Sequence, residues 1–318
     1  MKLNAFARYA WGVLIYNLAV ILWGAYVRAT GSGAGCGSHW PLCNGEVVPR
    51  APQLETIIEF THRATSGIAL LLVVGLLIWA FKAYPQAHIV RRGAVLSLIF
   101  IITEALVGAG LVLFEWVAGN ESVARAFSMA IHLVNTLLLL AALTLTAWWA
   151  SGGRPLRLSG QGLPGRVLAL AFAGVLLVAV TGALIALGDT LLPTKAPGEE
   201  LSPLLAALKR LRPVHPLIAM VVGLYLLFAA GYLSAQRPGV ASRRLARTLT
   251  ALFFVQLGAG ALNVALMVPV WMQLVHLFLA DLVWIALVLL AAVVLAENTT
   301  ALETPEPTLA LARASEGQ

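Results

Sequence analysis

Five consecutive residues, Glu59-Phe60-Thr61-His62-Arg63, put an acid, an imidazole and a guanidinium at the mouth of an apolar run that continues from Ile68 to Phe81. On a helix Glu59 and His62 share a face, because residues three apart are neighbours there. An imidazole can ligate a metal or move a proton, and a carboxylate can act as a general base. A charge costs about 2.5–3.5 kcal/mol at mid-bilayer on insertion scales and less near the interface, so ionisable residues at such depth read as functional candidates. The plainer reading of Glu59 is a salt bridge to Arg63.

Histidines recur at similar depth elsewhere. Of the six, His88 lies beside Arg91 and Arg92 and reads as solvated, and His39 lies in a loop. His62, His132, His215 and His276 fall one each on four separate apolar runs. A single histidine in a membrane helix is usually a hydrogen-bonding packing residue. Four at matched depth, two in each half of the chain, are hard to explain by packing. Two imidazoles from facing helices can hold a haem iron from both sides. The expectation is two bis-histidine haem sites, His62 with His132 and His215 with His276. A bare zinc or copper ion fits less well, because no Cys, Asp or second His stands at chelating spacing around any of the four.

The elements that must position these side chains are membrane helices. Sixty per cent of the 318 residues are hydrophobic and 11% are charged, where soluble domains carry about 25% charged residues. Mean hydropathy is +0.89. Eight spans are expected, near 9–30, 58–81, 93–117, 126–150, 166–188, 213–233, 246–268 and 271–296, each close to the roughly 20 residues a bilayer needs. The first lacks a small-x-small cleavage site and reads as a span rather than a cleaved signal. The net charge of +7 is spread over short loops, which speaks against nucleic acid. Most basic residues, among them Arg91, Arg92, Arg154, Arg157, Arg243 and Arg244, fall on the N-terminal side, so both termini are expected in the cytoplasm. The four histidines then lie near the outer face. The polar tail from 297 to 318 is expected to be disordered.

The halves echo each other. Trp23-Gly24-Ala25 matches Thr181-Gly182-Ala183, and Gly108-Ala109-Gly110 matches Gly258-Ala259-Gly260. Four helices per half make a parallel repeat, related by an axis along the membrane normal. The expected architecture is thus an all-α membrane protein of two four-helix bundles, residues 1–150 and 151–296. The small residues read first as close helix packing in lipid. The halves also differ. Arg63 follows His62, whereas Pro216 follows His215, and only His62 has a carboxylate one turn away. The first outer loop, Gly31-Ser32-Gly33-Ala34-Gly35-Cys36-Gly37-Ser38-His39-Trp40-Pro41-Leu42-Cys43, fails the spacing of a nucleotide-binding loop. Its two cysteines lie on the oxidising side, where a disulfide is chemically expected. A structural bond, a reversible dithiol and metal binding all remain open from spacing.

The loop, the EFTHR motif at 59–63, the four histidines and the four-plus-four repeat together resemble the haem A synthases, in particular their cysteine-bearing bacterial branch. The likeness runs from the first span to the eighth. It implies an enzyme that oxidises a methyl group of haem O, through an alcohol, to the formyl group of haem A for cytochrome oxidase assembly. It implies haem b held by His215 and His276, haem O received by His62 and His132, a catalytic role for Glu59, a disulfide between Cys36 and Cys43, and Arg63 as a charge partner near the haem propionates. Haem O synthase, cytochrome oxidase assembly factors and an electron acceptor are the implied partners, oligomers are open, and the implied site is a bacterial plasma membrane. The rival is a di-haem b-type electron carrier linked to quinol, which has no need of Glu59.

Overall fold

Lipid offers no hydrophobic reward for bringing helices together, so spans associate through close contact and buried hydrogen bonds. Both are visible in a computed structural model that describes residues 3–296. Among the described residues there are nine α-helices: α1 (Ala5–Ala29), α2 (Leu54–Ala83), α3 (Ile89–Leu113), α4 (Val123–Ala150), α5 (Gly162–Leu191), α6 (Pro203–Leu211), α7 (Val214–Gln236), α8 (Val240–Ala265) and α9 (Val270–Val294). All but α6 are long and apolar enough to cross a membrane. The tail expected to be disordered lies outside the described residues.

The spans match expectation in number and order, and differ at their ends for physical reasons. Helices α1 to α5 begin about one turn before their hydropathic runs, and α8 begins more than a turn and a half before its own. That first turn is polar in α3, with Arg91 and Arg92, and in α8, with Arg243 and Arg244. A polar turn at the interface is helical without being apolar. His88 has a structural use there: its ring nitrogen accepts from Val90 N–H at 3.2 Å, capping α3. Asn4 caps α1 by accepting from Ala7 N–H at 2.7 Å, and its amide donates to Ala150 O at 3.1 Å, tying the start of α1 to the end of α4.

Helix α6 was not expected. It lies in the 189–212 connection, begins with Pro203 after a Ser202 cap, and buries Leu205 and Leu208. These pack with Leu187, Leu191 and Ala126, leaving Lys209 and Arg210 exposed.

Helices α1 to α4 pack around one core that includes Phe6, Leu14, Val73, Leu76, Leu140 and Leu143. Helices α5, α7, α8 and α9 enclose another, with Leu168, Leu226, Leu233, Leu249 and Leu287. The first core also takes in Trp284, Ile285 and Val288 of α9, and Trp284 Nε1–H donates to Leu137 O of α4 at 2.7 Å. Helix α9 therefore joins the two groups. Small residues do the close packing expected of them. At Gly223 of α7 the ring of Phe253 from α8 comes so near that an added Cβ would overlap it.

Two predictions follow from this packing. Gly223→Ala should force the Phe253 ring aside, and such overpacking costs about 1–3 kcal/mol. Thermal melts in detergent should show a lowered Tm, partly restored by adding Phe253→Leu. The second concerns the loops on the side that bears the cysteines. Lys195 Nζ lies 2.7 Å from Glu121 and 2.8 Å from Glu199. Hydrogen bonds from Lys195, aided by Ser202 at Glu121 and by Ala196 N–H at Glu199, hold both carboxyls below their usual range. The same bonds raise the lysine. Depressed carboxyls contribute stability above their unfolded values and lose it as pH falls through the folded ones. The raised lysine contributes below its ordinary value and loses it as pH rises through the folded one. The Tm difference between wild type and Lys195→Met should thus be small but present at neutral pH. It should vanish at both extremes and in high salt.

Candidate functional site

His215 sits in the first turn of α7 and His276 in the second of α9, whereas His62 and His132, expected to differ by a turn, both stand in the third turns of α2 and α4. Each ring lies against a glycine of the neighbouring helix. A Cβ built on Gly24 of α1 would stand 2.9 Å from Cε1 of His62, and one on Gly182 of α5 would stand 3.1 Å from Cε1 of His215. The corresponding distances are 3.0 Å from Gly260 of α8 to His276 and a looser 4.0 Å from Gly108 of α3 to His132. A side chain at any of the first three would press on the imidazole. The first small-residue echo therefore holds at the histidines, Gly24 with Gly182. The second is displaced by two residues, because the glycine facing His132 is Gly108 and the one facing His276 is Gly260. Gly110 and Gly258 face neither ring.

The rings come two to each half of the chain, His62 and His132 on α2 and α4 and His215 and His276 on α7 and α9. Each ring is half-buried. Nδ1 of His62, His132 and His276 is buried without a hydrogen bond, whereas His215 Nδ1 has Thr181 Oγ1 at 3.0 Å. Thr181 already donates to Val178 O at 2.9 Å, so its oxygen is free to accept from Nδ1–H. That leaves Nε2 of His215 with its lone pair. Buried polar atoms are normally partnered, so rings that carry an orphaned nitrogen stand out as candidate ligands. Among the described residues no group of three or more His, Cys, Asp or Glu gathers to hold a bare metal ion. Imidazoles that come singly from separate helices, each ring filling the space a glycine leaves, suit a haem held between two histidines better than a bare ion.

Glu59 occupies a different environment from the histidines. It is buried, with its side chain 4% exposed. Oε2 accepts from Cys36 N–H at 2.8 Å. Oε1 accepts from Arg63 Nε–H at 3.1 Å and from Arg63 Nη2. Arg63 Nη1 in turn donates to His39 O and, at 2.8 Å, to Leu42 O. The acid and the arginine, four residues apart on α2, thus clamp the loop that Cys36 and Cys43 close with a disulfide. Thr56 Oγ1 adds a bond to Gly35 O at 2.7 Å. His39 is exposed on this loop and enters the clamp only through its carbonyl. The salt bridge to Arg63 is present, and both oxygens of Glu59 are engaged.

Two residues were missed in the sequence. Arg28, near the end of α1, donates to Ala186 O and, at 2.8 Å, to Thr190 Oγ1 of α5. It also donates to Gln273 Oε1 of α9 at 3.0 Å. Gln273 lies one turn before His276, so Arg28 connects the first helix to the second pair. Its signal was a cation near the end of an apolar run. Glu104 of α3 stands with one oxygen 3.4 Å from His132 Nδ1, long for a hydrogen bond. Its signal was an acid inside a span.

The family model for COX15-CtaA, cytochrome oxidase assembly protein, matches residues 7–288. The chain belongs to this family, that of the haem A synthases. A protein of one strain of Thermus thermophilus, named "Protoheme IX farnesyltransferase", is 55% identical over the whole of this chain and 53% of its own length. Its counterpart in a second strain of that species is 54% identical with the same coverage. The chain thus spans about half the length of these relatives. A "Heme A synthase" of Bacillus mycoides is 44% identical over 37% of each chain, and one of Exiguobacterium sibiricum is 36% identical over 45% of this chain and 46% of its own.

The clamp on the disulfide loop yields a prediction. Arg63→Ala removes the partner of a buried carboxylate, a change that typically costs about 3–5 kcal/mol, and frees two loop carbonyls. Hydrogen-exchange mass spectrometry should show faster exchange of the amides of residues 36–46 than in wild type. Unchanged protection there would mean that the disulfide alone orders the loop.

Proposed function

We propose that this protein is a haem A synthase. Haem O enters from the membrane at His62 and His132. One of its methyl groups is oxidised through an alcohol to the formyl group of haem A, with the oxygen coming from water. The observation that carries this reading is the arrangement of four imidazoles, in two pairs and each against a glycine, in a chain of this family. The architecture proposed with it is two similar four-helix halves, 1–150 and 151–296, related by a pseudo-twofold axis along the membrane normal. Its support is the matching of His62, Gly24, His132 and Gly108 by His215, Gly182, His276 and Gly260. The basic residues support an orientation with both termini in the cytoplasm of a bacterial cell and the paired histidines near the outer face.

His215 and His276 would hold a resident haem b, whose chemistry when bound is electron transfer tuned by its axial ligands. The reacting methyl loses electrons and protons at each stage. Glu59 is the residue proposed to take a proton or to stabilise positive charge developing at that carbon. Through Cys36 N–H and Arg63 it is one unit with the disulfide loop, so closure of the loop fixes the acid. The rival, a quinol-linked di-haem b carrier, draws support from that same engagement, since an acid with both oxygens occupied can be purely structural.

The name printed for the Thermus proteins does not transfer to these residues. Displacing a diphosphate commonly uses Mg²⁺ held by carboxylates, and among the described residues no three or more His, Cys, Asp or Glu gather to hold a metal ion. We infer that the name describes the part of those proteins this chain does not match. Farnesylated protohaem would then be made beside the site that consumes it. That supports a haem O synthase as partner, alongside cytochrome oxidase assembly factors and an electron acceptor.

Glu59→Gln should keep haem in both sites and stall turnover at haem O or its alcohol, read by chromatography of extracted haems. His62→Ala should abolish haem A formation while leaving the spectrum of the resident haem, and His276→Ala should remove that spectrum. Undiminished haem A from the Glu59 variant would strip the acid of its role. Undiminished haem A from His62→Ala would overturn the assignment of the substrate site.

A further inference from the structure

The two pairs of histidines differ in what stands behind one ring of each. On α3, Glu104 lies four residues before Gly108, and on α8, Gln256 lies four residues before Gly260. Each glycine faces a histidine, so acid and amide occupy matched positions. Glu104 is held firmly: Oε1 accepts from Thr136 Oγ1, and Oε2 accepts from Asn135 Nδ2 at 2.6 Å. Asn135 is fixed by Thr103 Oγ1, which donates to its Oδ1 at 2.6 Å, and by its own bond to Phe100 O at 2.9 Å. The remaining approach to Oε1 is taken by Nδ1 of His132 at 3.4 Å, a buried nitrogen with no hydrogen bond. Gln256 places its amide nitrogen 3.4 Å from Nε2 of His276, and its own Oε1 is buried without a partner.

We infer that Glu104 is a positioning residue for His132, and that the exchange of Glu104 for Gln256 gives the two halves irons of different redox character. The inference rests on the haem reading proposed above. A ligating histidine usually donates its other ring N–H to an acceptor, which fixes the tautomer and makes the ring a stronger donor. A slight turn of the His132 ring closes the 3.4 Å gap, directs Nδ1–H at Glu104 and leaves Nε2 for iron. A carboxylate strengthens donation, because charge-assisted hydrogen bonds are the stronger ones, whereas the amide nitrogen of Gln256 that faces His276 can only donate to the ring and gives it no such push. A stronger donor favours ferric over ferrous iron. The first site therefore has the lower potential and the second the higher. Electrons leaving the substrate side would then run downhill towards a haem held by His215 and His276. Thr136 and Asn135 keep the carboxylate in place for this.

The test is a redox titration of the purified full chain, produced with a haem O source, following the optical bands of each haem with low-spin electron paramagnetic resonance alongside. Glu104→Gln should raise the midpoint of the haem at His62 and His132, alter its resonance signal and leave the other haem unmoved. Gln256→Glu should lower the midpoint of the haem at His215 and His276. Both haems retained with midpoints and signals unchanged in Glu104→Gln would overturn the inference and reduce Glu104 to a helix-packing acid. If Glu104→Gln fails to hold its haem, Gln256→Glu decides: a lowered midpoint supports the inference and an unmoved one overturns it. A wild-type protein with no haem at His62 and His132 would overturn the haem reading itself, a result visible before any variant is made.

Discussion

An imidazole inside hydrocarbon must find a partner or be given a ligand, because an unsatisfied polar group there costs several kcal/mol. Everything else in this structure is arranged around four such rings. At three of the four the neighbouring helix has no room for a Cβ at the contact, where Gly24, Gly182 and Gly260 stand, and at the fourth Gly108 leaves a looser contact. These contacts join α1 to α2, α3 to α4, α5 to α7 and α8 to α9. Elsewhere, as at Gly223 against Phe253, a glycine serves packing alone.

On this shared plan the two halves have separate tasks. In the first, Glu59 and Arg63 clamp the disulfide loop, and Glu104 stands behind His132. The second has a hydroxyl at His215 and an amide at His276. Arg28 and Trp284 cross between them, one from α1 to α5 and α9, the other from α9 to α4. A reaction that needs a carboxylate held against a ring of one haem and not of the other would use such a division.

The spans were legible because hydropathy over about twenty residues is a strong local signal. Their ends were less so, since a polar first turn such as Arg91-Arg92 is helical for reasons of capping rather than hydrophobicity. Helix α6 escaped because a helix of 9 residues with two buried leucines leaves little trace in a loop. The four histidines stood out through their depth and pairing. Glu104 did not, because its partners Asn135 and Thr136 lie on the next helix and nothing local announces them. The first glycine echo was placed correctly, and the second was set two residues out, since short runs of glycine and alanine align with themselves in more than one register. The loop partner of Glu59 lies 23 residues away in sequence, a distance at which only the fold decides.

The measurement that bears most directly on the central claim is acid–acetone extraction of haem from the purified wild-type protein, made with and without a haem O source and resolved by reverse-phase chromatography. Haem b in both preparations, joined by haem A or its alcohol precursor only when haem O is supplied, is the predicted result. Haem b alone in both sites, unchanged by haem O, would contradict the account and leave a di-haem electron carrier in its place.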